Sequence, residues 1–488
     1  MNVLMVTSEA VPYVKSGGLA DVAGSLSEAL ALLKVDVRVL LPYYGSMKQV
    51  FGDASITDIS IHVPYLGTVE SVRIRQAVHH GVIYYALEHD WFTARNGIYG
   101  ETSFTPYPDN FQRFMMLDKS VHPLCEALGW KPDIIHCHDW TTGLVPYLNR
   151  AYASPFFAKT KSIMTIHNLG YQGTFPRLDF LGAGIAPHND IFSWSGPYPV
   201  VNMLKAGIAQ ADAVTTVSPT YAQEIQTEAY GCGLHELLAE KSGQVKGILN
   251  GIDSQEWDPS HDEFFSQHFS SDDLTGKEQL KQEICREAGL SYQPEVPLIA
   301  MITRLADQKG MHELLDGSPC ALEIILTSPQ PVQVMVIGTG DAHFEEKLKV
   351  LDSMFPNLSV QIAFSNSKAH RLEGAADFFL MPSRYEPCGL NQMYSLRYGT
   401  IPIARKTGGL ADSIIDLKDF PDTGTGFLFD EMSPSAIVHA VQQALSWWTH
   451  SGSAVPAARK RGMTTDFSWT TSAQEYVKLY IALQKGEK

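Results

Sequence analysis

Two nearly identical heptapeptides set the strongest constraint on how this chain can fold. KSGGLAD occupies residues 15–21 and KTGGLAD occupies residues 406–412. Each follows an apolar run that is typical of a buried strand, residues 3–7 before the first copy and 401–404 before the second. A glycine pair lets the backbone approach a ligand closely, and a helix start presents N–H donors to anions. The repeat therefore predicts two similar domains, each with a strand–loop–helix unit suited to a phosphate or a sugar hydroxyl.

Short apolar runs alternate with helical patterns over most of the 488 residues. Runs that are apolar on both faces are typical of parallel strands covered by helices on each side. We therefore expect an α/β protein with two doubly wound, Rossmann-like sheets. The polar stretch at residues 254–295 places the domain boundary near residue 250, and a helical stripe predicts that the chain ends on a packed helix. The predicted strands are residues 3–7, 35–41, 82–87, 133–138, 161–166, 213–217, 246–250, 297–303, 332–337, 358–363, 377–381 and 400–404.

The composition is that of a globular enzyme and argues against several classes of partner. Apolar residues make up 44% of the chain and charged residues 18%. The net charge of −16 opposes generic attraction to nucleic acids and anionic membranes, so we expect neither as a partner. No apolar run reaches the roughly 18 residues of a membrane span. The six cysteines form no C-x-x-C pair and no signal peptide is visible, so we expect a cytoplasmic protein.

Polar residues at the carboxyl ends of predicted strands are the first candidates for a site, because open parallel sheets bind ligands there. His136 and His138 would share one face of a strand, which is compatible with a metal pair. No further ligand with suitable spacing follows them, so we favour hydrogen-bonded residues that line a cleft. His167 ends the next strand and is either an ordinary satisfied histidine or a site residue. Its place at the strand end favours the site.

The second half of the chain contains two cations ahead of a glycine. Arg304 and Lys309 suit a diphosphate, although an exposed loop pair would have the same spacing. Gly338 and Gly340 form a lone G-x-G, which is often only a tight turn.

Residues 384–392, RYEPCGLNQ, are the strongest local feature. They follow an apolar strand and are predicted to open a helix, where free N–H groups could hold sugar or phosphate oxygens. Glu386 either contributes to such a site or is an ordinary helix-start charge. Cys388, if buried, is a small core residue.

These motifs together resemble the bacterial glycogen synthases and plant starch synthases. KSGGLAD is similar to the N-terminal K-x-G-G-L-x-D signature of that family. The resemblance implies the GT-B fold, two Rossmann-like domains facing a central cleft. It assigns residues 1–250 to an acceptor-side starch synthase catalytic domain, residues 251–469 to a nucleotide-sugar-binding domain, and residues 470–488 to a helix that packs back on the first domain. The other matching motifs, in order, are residues 136–140, 165–168, 218–221, 250–253, 304–310, 386–392 and 407–412.

The resemblance implies a retaining glucosyltransferase that moves α-D-glucose from ADP-glucose to the non-reducing end of an α-1,4-glucan and so elongates glycogen. We expect no cofactor. We also expect no divalent metal, because Arg304, Lys309 and two helix N-termini can neutralise the diphosphate and no D-x-D carboxylate pair is present. Related transferases often have a glutamate pair separated by seven residues, but position 394 is Tyr394. A paired-carboxylate double displacement is therefore not predicted, and we expect a same-face reaction in which the departing phosphate assists the acceptor proton. A nucleotide-sugar epimerase and a non-catalytic glucan- or nucleotide-binding relative are the alternatives.

By matched position, the catalytic roles implied by the resemblance fall on four residues. Arg304 and Lys309 would stabilise the leaving diphosphate, His167 would lie near the glucose 6-hydroxyl, and Glu386 would hold glucose hydroxyls. The residues expected to bind the nucleotide sugar are Lys15, Gly17, Gly18, Tyr99, Asp139, Asn168, Asn250, Gly338, Gly340, Cys388, Gly389 and Leu390.

Overall fold

The computed structural model describes residues 1–51, 56–65, 67–102, 105–152, 154–181, 184, 191–363 and 365–486. The chain forms two compact units, the first made of Met1–Gly251 with Trp469–Lys488 and the second of Ile252–Ser468. Within the described residues, no helix combines the length and the apolar character that crossing a bilayer requires.

Strands and helices alternate through both units, as the apolar pattern predicts. The strands are β1 (Asn2–Val6), β2 (Asp36–Pro42), β3 (Ile56–Tyr65), β4 (Thr68–His79), β5 (Val82–Glu88), β6 (Gly100–Thr102), β7 (Thr105–Pro106), β8 (Ile134–His138), β9 (Lys161–Ile166), β10 (Thr174–Pro176), β11 (Phe192–Ser195), β12 (Tyr198–Asn202), β13 (Ala213–Thr216), β14 (Val245–Gly247), β15 (Leu298–Ile302), β16 (Gln333–Ile337), β17 (Leu358–Gln361), β18 (Phe378–Met381), β19 (Ile401–Arg405) and β20 (Phe427–Phe429). The helices are α1 (Gly18–Leu32), α2 (Asp90–Thr93), α3 (Asn110–Leu128), α4 (Val145–Ala151), α5 (Arg177–Leu181), α6 (Met203–Gln210), α7 (Pro219–Glu224), α8 (His235–Glu240), α9 (Thr275–Glu287), α10 (Met311–Leu315), α11 (Ala321–Leu326), α12 (Ala342–Met354), α13 (Asn366–Ala375), α14 (Asn391–Arg397), α15 (Gly408–Ser413), α16 (Pro434–His450), α17 (Ala454–Thr464) and α18 (Trp469–Lys485).

The main sheet of the first unit has the strand order β14-β13-β9-β8-β1-β2-β5-β4-β3. The strands from β14 to β5 pair in parallel, whereas β4 pairs antiparallel with both β5 and β3. The chain first builds outward from β1 through β2 to β5 and then returns to place β8 on the other side of β1. This reversal between β1 and β8 is the topological switch point of a doubly wound sheet.

The second unit contains six parallel strands in the order β17-β16-β15-β18-β19-β20. Its order reverses between β15 and β18, as in nucleotide-binding Rossmann sheets. In β18, Phe378 and Leu380 pack into the core on one face, while Phe379 and Met381 pack into the core on the other. The prediction that this run forms a parallel strand covered on both faces is confirmed, as is the α/β fold class.

The last helix, α18, completes the first unit by packing against α1. Tyr476 and Tyr480 on its inner face are fully buried. The Tyr480 hydroxyl lies 2.8 Å from Nδ1 of His136 on β8, and Ser472 Oγ donates to the Leu249 carbonyl at 2.6 Å. These contacts tie the end of the chain to the central sheet of the first unit.

Candidate active site

In each unit, candidate residues follow the two strands between which the strand order reverses, at the carboxyl end of the sheet. In the first unit, β1 leads into the loop that carries Lys15, and Asp139 directly follows β8. In the second unit, Arg304 follows β15 and Glu386 lies in the loop after β18. This is the position at which open α/β sheets bind their ligands.

A buried glutamate fixes the first glycine loop. The Glu9 carboxylate accepts hydrogen bonds from the Ser16 backbone N–H at 2.5 Å, the Ser16 hydroxyl at 2.9 Å and the Gly17 N–H at 3.2 Å. Tyr99 donates its hydroxyl to the same carboxylate at 2.9 Å and also contacts the Ser8 hydroxyl at 2.9 Å. Burial raises the pKa of Glu9, and these hydrogen bonds act in the opposite direction. Sequence reasoning missed Glu9. The Tyr99 hydroxyl, predicted to contact the ligand, helps to hold this loop through Glu9.

The first glycine loop leaves open space beside its backbone. Gly17 precedes α1 with an extended φ of −162°, and a Cβ placed on it would meet no atom within 4 Å. Neither backbone conformation nor packing against the described residues requires a glycine there, so the free space is available to a ligand. Lys15 places Nζ 2.7 Å from the Asp21 carboxylate, and its side chain is half exposed. Exposed ion pairs are weak, so the Lys15 ammonium can turn to an anionic ligand at little cost.

The second glycine pair is packed against protein backbone instead. Cβ atoms on Gly408 and Gly409 would lie 2.0 Å from the Glu386 carbonyl oxygen and 2.1 Å from the Cys388 carbonyl oxygen. The Gly409 N–H donates to the Glu386 carbonyl at 3.1 Å. The strand–loop–helix order predicted for both copies is present, with β19 leading into α15. Unlike the first copy, the second glycine pair packs against the backbone of the Glu386 loop and is hydrogen-bonded to it.

His136 is a hydrogen-bonded core histidine. Its Nδ1 contacts the Tyr480 hydroxyl, and its Nε2 lies 2.5 Å from the Thr165 hydroxyl. Burial lowers the pKa of His136 to about 3, so the ring is neutral at physiological pH. With both ring nitrogens engaged by hydroxyl groups, His136 has no lone pair left for a metal ion. Among the described residues, no cluster with metal-ligand spacing includes His136 or His138.

His167 lies in a hydrogen-bonded pair at the strand ends. Its Nε2 is 2.9 Å from Nδ1 of His138, and its backbone N–H donates to Asp139 Oδ1 at 2.7 Å. Burial lowers the pKa of His167 to about 3 and raises that of Asp139 to about 7. Asp139 also has a φ of +56°, a conformation that is uncommon and strained for a non-glycine residue. His167 is therefore a neutral hydrogen-bonding group, and the Asp139 carboxyl group holds the His167 backbone through this hydrogen bond.

The second unit presents a largely buried ion pair. Lys309 Nζ lies 2.5 Å from Glu386 Oε2, and the two side chains are 18% and 8% exposed. The Ser383 hydroxyl donates to the same carboxylate oxygen at 2.9 Å. Arg304 is exposed, and its guanidinium donates to Gln308 Oε1 at 3.2 Å. The structure thus brings Lys309 and Glu386 into direct contact and leaves Arg304 pointing to solvent.

The prediction that Glu386 lies at a helix N-terminus is wrong, and with it the interpretation as a helix-start charge. Helix α14 begins at Asn391 with Leu390 as its cap, so Glu386 lies before the first turn. Gly389 has a φ of +70°, which favours glycine, and its carbonyl accepts a hydrogen bond from Gln392 Nε2 at 3.0 Å. The same amide donates at 3.0 Å to the carbonyl of Cys388, whose side chain is buried. Gln392 therefore shapes the loop, a role that sequence reasoning did not assign to it.

The remaining candidate glycines of the second unit bring two loops together. A Cβ on Gly338 would lie 2.0 Å from the Thr303 carbonyl oxygen, and one on Gly340 would lie 2.2 Å from that of Leu305. These two glycines let the loop after β16 pack directly on the backbone that carries Arg304.

Two predicted asparagines of the first unit differ in their surroundings. Asn168 Oδ1 accepts a hydrogen bond from the Gly170 N–H at 3.0 Å and closes a local turn. Asn250 is buried, and its Oδ1 has no hydrogen-bond partner among the described residues. A buried acceptor without a partner is costly, which is consistent with a ligand group that supplies the donor.

Comparison with known proteins finds relatives over the whole chain. The starch synthase catalytic domain family matches residues 2–240, and the glycosyl transferases group 1 family matches residues 288–461. A glycogen synthase from Syntrophotalea carbinolica is 40% identical over 98% of both chains, and one from Anaeromyxobacter dehalogenans is 41% identical over 100% of both. The catalytic domain of starch synthase IV from Arabidopsis thaliana, solved with ADP and acarbose, superposes with a TM-score of 0.89 at 32% identity over 99% of both chains. Sucrose-phosphate synthase from Thermosynechococcus elongatus shares the fold, with a TM-score of 0.61 at 17% identity over 100% of both chains.

Proposed function

This chain belongs to the glycogen synthase family of GT-B glycosyltransferases, and we propose that it transfers α-D-glucose from ADP-glucose to the non-reducing end of an α-1,4-glucan. The anomeric configuration would be retained and the product would be an elongated glycogen chain. The ADP and acarbose bound to the starch synthase IV relative support an adenine nucleotide donor and a saccharide acceptor.

The observation that carries the proposal is the Lys309–Glu386 pair at the switch point of the second sheet. It places a cation and a carboxylate side by side where such sheets bind nucleotides. The cation suits the diphosphate and the carboxylate suits glucose hydroxyls, which are the two halves of a nucleotide sugar.

The reaction needs stabilisation of charge on the leaving group. The bond between glucose C1 and the diphosphate oxygen breaks, and its electron pair stays on that oxygen. Lys309 and Arg304 would neutralise the developing charge, usually the largest electrostatic task in such a step. The acceptor 4-hydroxyl oxygen would bond to C1 on the same face, and its proton would pass to the departing phosphate.

The remaining residues would position the donor. Glu386 would accept hydrogen bonds from glucose hydroxyls, and neutral His167 would hydrogen-bond the 6-hydroxyl. His167 Nδ1 suits this role because it has no hydrogen-bond partner among the described residues. Lys15 would add an ammonium, and the first turn of α1, which begins at Gly18, would add backbone N–H groups for the anionic donor. Tyr99 and Asp139 would act indirectly, through Glu9 and through the His167 backbone.

The donor assignment is tested with labelled ADP-glucose and UDP-glucose at equal concentration and a maltooligosaccharide primer. We expect faster incorporation from ADP-glucose. Equal or faster transfer from UDP-glucose would overturn the donor assignment but not the reaction class. Release of an epimerised nucleotide sugar without primer elongation would overturn the proposed function.

We also propose that transfer requires no divalent metal, because Arg304 and Lys309 supply the positive charge that a metal would bring. Activity measured in excess chelator should equal that measured without it. Complete loss in chelator, with recovery on adding Mg²⁺ or Mn²⁺, would contradict this assignment.

A further inference from the structure

Three potential metal ligands meet on the first unit, away from the candidate active site. Glu28 lies on α1, His79 ends β4, and His80 forms the turn into β5. One side-chain donor atom from each residue lies within 4.8 Å of the other two. Among the described residues, no other group of histidine, cysteine and carboxylate side chains is as close.

The β4–β5 turn delivers both imidazoles to the same carboxylate. His80 and Gly81 have φ values of 44° and 82°, as a two-residue hairpin turn with positive φ at both positions requires. The two rings stack with their centroids 4.0 Å apart. As a result His79 Nε2 lies 3.5 Å from Glu28 Oε1, and His80 Nδ1 lies 2.9 Å from Glu28 Oε2.

The donor set and its spacing match a transition-metal site. Two imidazoles and one carboxylate are a known ligand set for zinc, which prefers tetrahedral geometry. With metal–ligand bonds of about 2.0–2.1 Å, neighbouring donor atoms in a tetrahedron lie about 3.3 Å apart. The two distances to Glu28, one to each carboxylate oxygen, fall on either side of that value, and the three donor atoms lie within 4.8 Å of one another. Side-chain rotations that draw the donor atoms towards one point would complete the geometry. His80 is exposed, which leaves a path for the ion and room for a water ligand.

Glu28 is set against an aromatic background. Burial raises the pKa of the neighbouring Tyr13 and Tyr84 phenols, and the electrostatic effect of Glu28 adds to that rise. Tyr13 also contacts the His79 ring edge-on, with the centroids 6.4 Å apart. A carboxylate held beside low-dielectric rings attracts a cation more strongly than one in open water.

We propose that Glu28, His79 and His80 bind one divalent transition-metal ion of the zinc class. The ion would join α1, which begins at the Gly17–Gly18 loop, to the β4–β5 hairpin. Binding would therefore stabilise the first unit against unfolding, since a ligand that binds only the folded state raises its stability. The site is independent of the glucosyl transfer proposed above.

The test uses the full-length protein after removal of metals by chelator and dialysis. Co²⁺ titration should produce the visible ligand-field absorption of a four-coordinate site, saturating at one equivalent and displaced by Zn²⁺. Zn²⁺ should also raise the thermal midpoint. Glu28→Gln and His79→Gln should weaken Co²⁺ binding by at least about tenfold, the smallest loss typical even of a residue that only supports a ligand. His62→Gln, an exposed histidine of β3 outside the cluster, should bind as the unmodified protein does.

Each outcome decides the proposal. Absence of a saturable cobalt band, or equal binding by Glu28→Gln and the unmodified protein, would overturn it. Circular dichroism and the thermal midpoint in chelator check that the variants are folded. Glu28→Gln keeps the side-chain shape on a partly exposed helix face, so loss of binding by a folded Glu28→Gln protein would support the site.

Discussion

Single residues differ in how cleanly their function can be tested, and the Lys309–Glu386 pair shows why. Removing one partner of a buried ion pair leaves an uncompensated charge, at a cost of about 3–5 kcal/mol. A loss of activity in Lys309→Ala could therefore arise from the site or from the fold. Arg304 is exposed, and among the described residues its guanidinium makes only a hydrogen bond to Gln308, so its replacement tests leaving-group stabilisation without that ambiguity.

We expect Arg304→Ala and Lys309→Ala each to lower kcat by roughly 10²–10³-fold, the loss typical of removing one group that stabilises developing charge. Lys349→Ala removes an exposed cation of α12 and serves as the control, with unchanged kcat. Steady-state kinetics and thermal midpoints are measured for all three variants. A normal kcat in a folded Arg304→Ala protein would remove Arg304 from the catalytic assignment.

The buried histidines predict acid sensitivity. The pKa of His136 is about 3 in the folded protein and near 6.5 in the unfolded chain, so between these values the unfolded state binds the extra proton. The titration of His136 therefore leaves the free energy of unfolding at its full value above pH 6.5 and lowers it as the pH drops towards 3. At pH 5 this histidine alone would cost about 2 kcal/mol. Urea unfolding at pH 7.5 and pH 5.0 should show a smaller pH effect in His136→Gln than in the unmodified protein, and an equal effect would contradict the prediction.

At the level of loops and helices, the two glycine pairs allow a matched comparison. Gly17 has free space for a Cβ, whereas a Cβ on Gly409 would lie 2.1 Å from the Cys388 carbonyl oxygen. We expect Gly17→Ala to keep the thermal midpoint but raise KM for the donor, because the methyl group occupies space assigned to the ligand. Gly409→Ala should lower stability by about 1–3 kcal/mol through overpacking. Normal donor kinetics in Gly17→Ala would mean that the open space beside Gly17 is not used.

The central strands were predictable because their side chains are mostly apolar. β8, β15 and β18 fall within predicted runs and β1 begins one residue before its run, and so the strand ends that carry the site could be located. β3 and β4 were missed because their residues alternate between polar and apolar, the pattern of a hairpin with one solvated face.

The partners of the site residues could not be predicted in the same way. Glu9 contacts Ser16, Gly17 and Tyr99, and the contact with Tyr99 joins residues far apart in the chain. Likewise, the sequence places Lys309 and Glu386 at separate strand ends, and only the adjacency of β15 and β18 brings them into contact. Strand-end position is a local property, whereas pairing depends on strand order.

For the whole molecule, the most consequential feature is that the last helix of the chain completes the core of the first unit. The second unit runs without interruption from Ile252 to Ser468, and these two residues form a β-bridge, so its ends lie side by side. The chain then returns to the first unit as α18, whose Tyr480 hydroxyl satisfies the buried Nδ1 of His136. The stability of the first unit should therefore depend on residues that follow the entire second unit in sequence.

We expect a chain ending at Ser468 to lose the cooperative unfolding of the first unit, since deletion of α18 exposes the core residues that pack beneath Tyr476 and Tyr480. The second unit, with its own continuous segment and core, should keep its unfolding transition.

Tyr480→Phe tests the same dependence with a smaller change. It should cost about 1–3 kcal/mol because the buried His136 nitrogen loses its partner. Tyr171→Phe, at an exposed tyrosine of the same unit, is the control. Calorimetry of the three proteins separates the transitions of the two units. An unchanged first transition in the truncated chain would show that α18 is an accessory to the first unit, because a helix required for its core could not be removed without that loss.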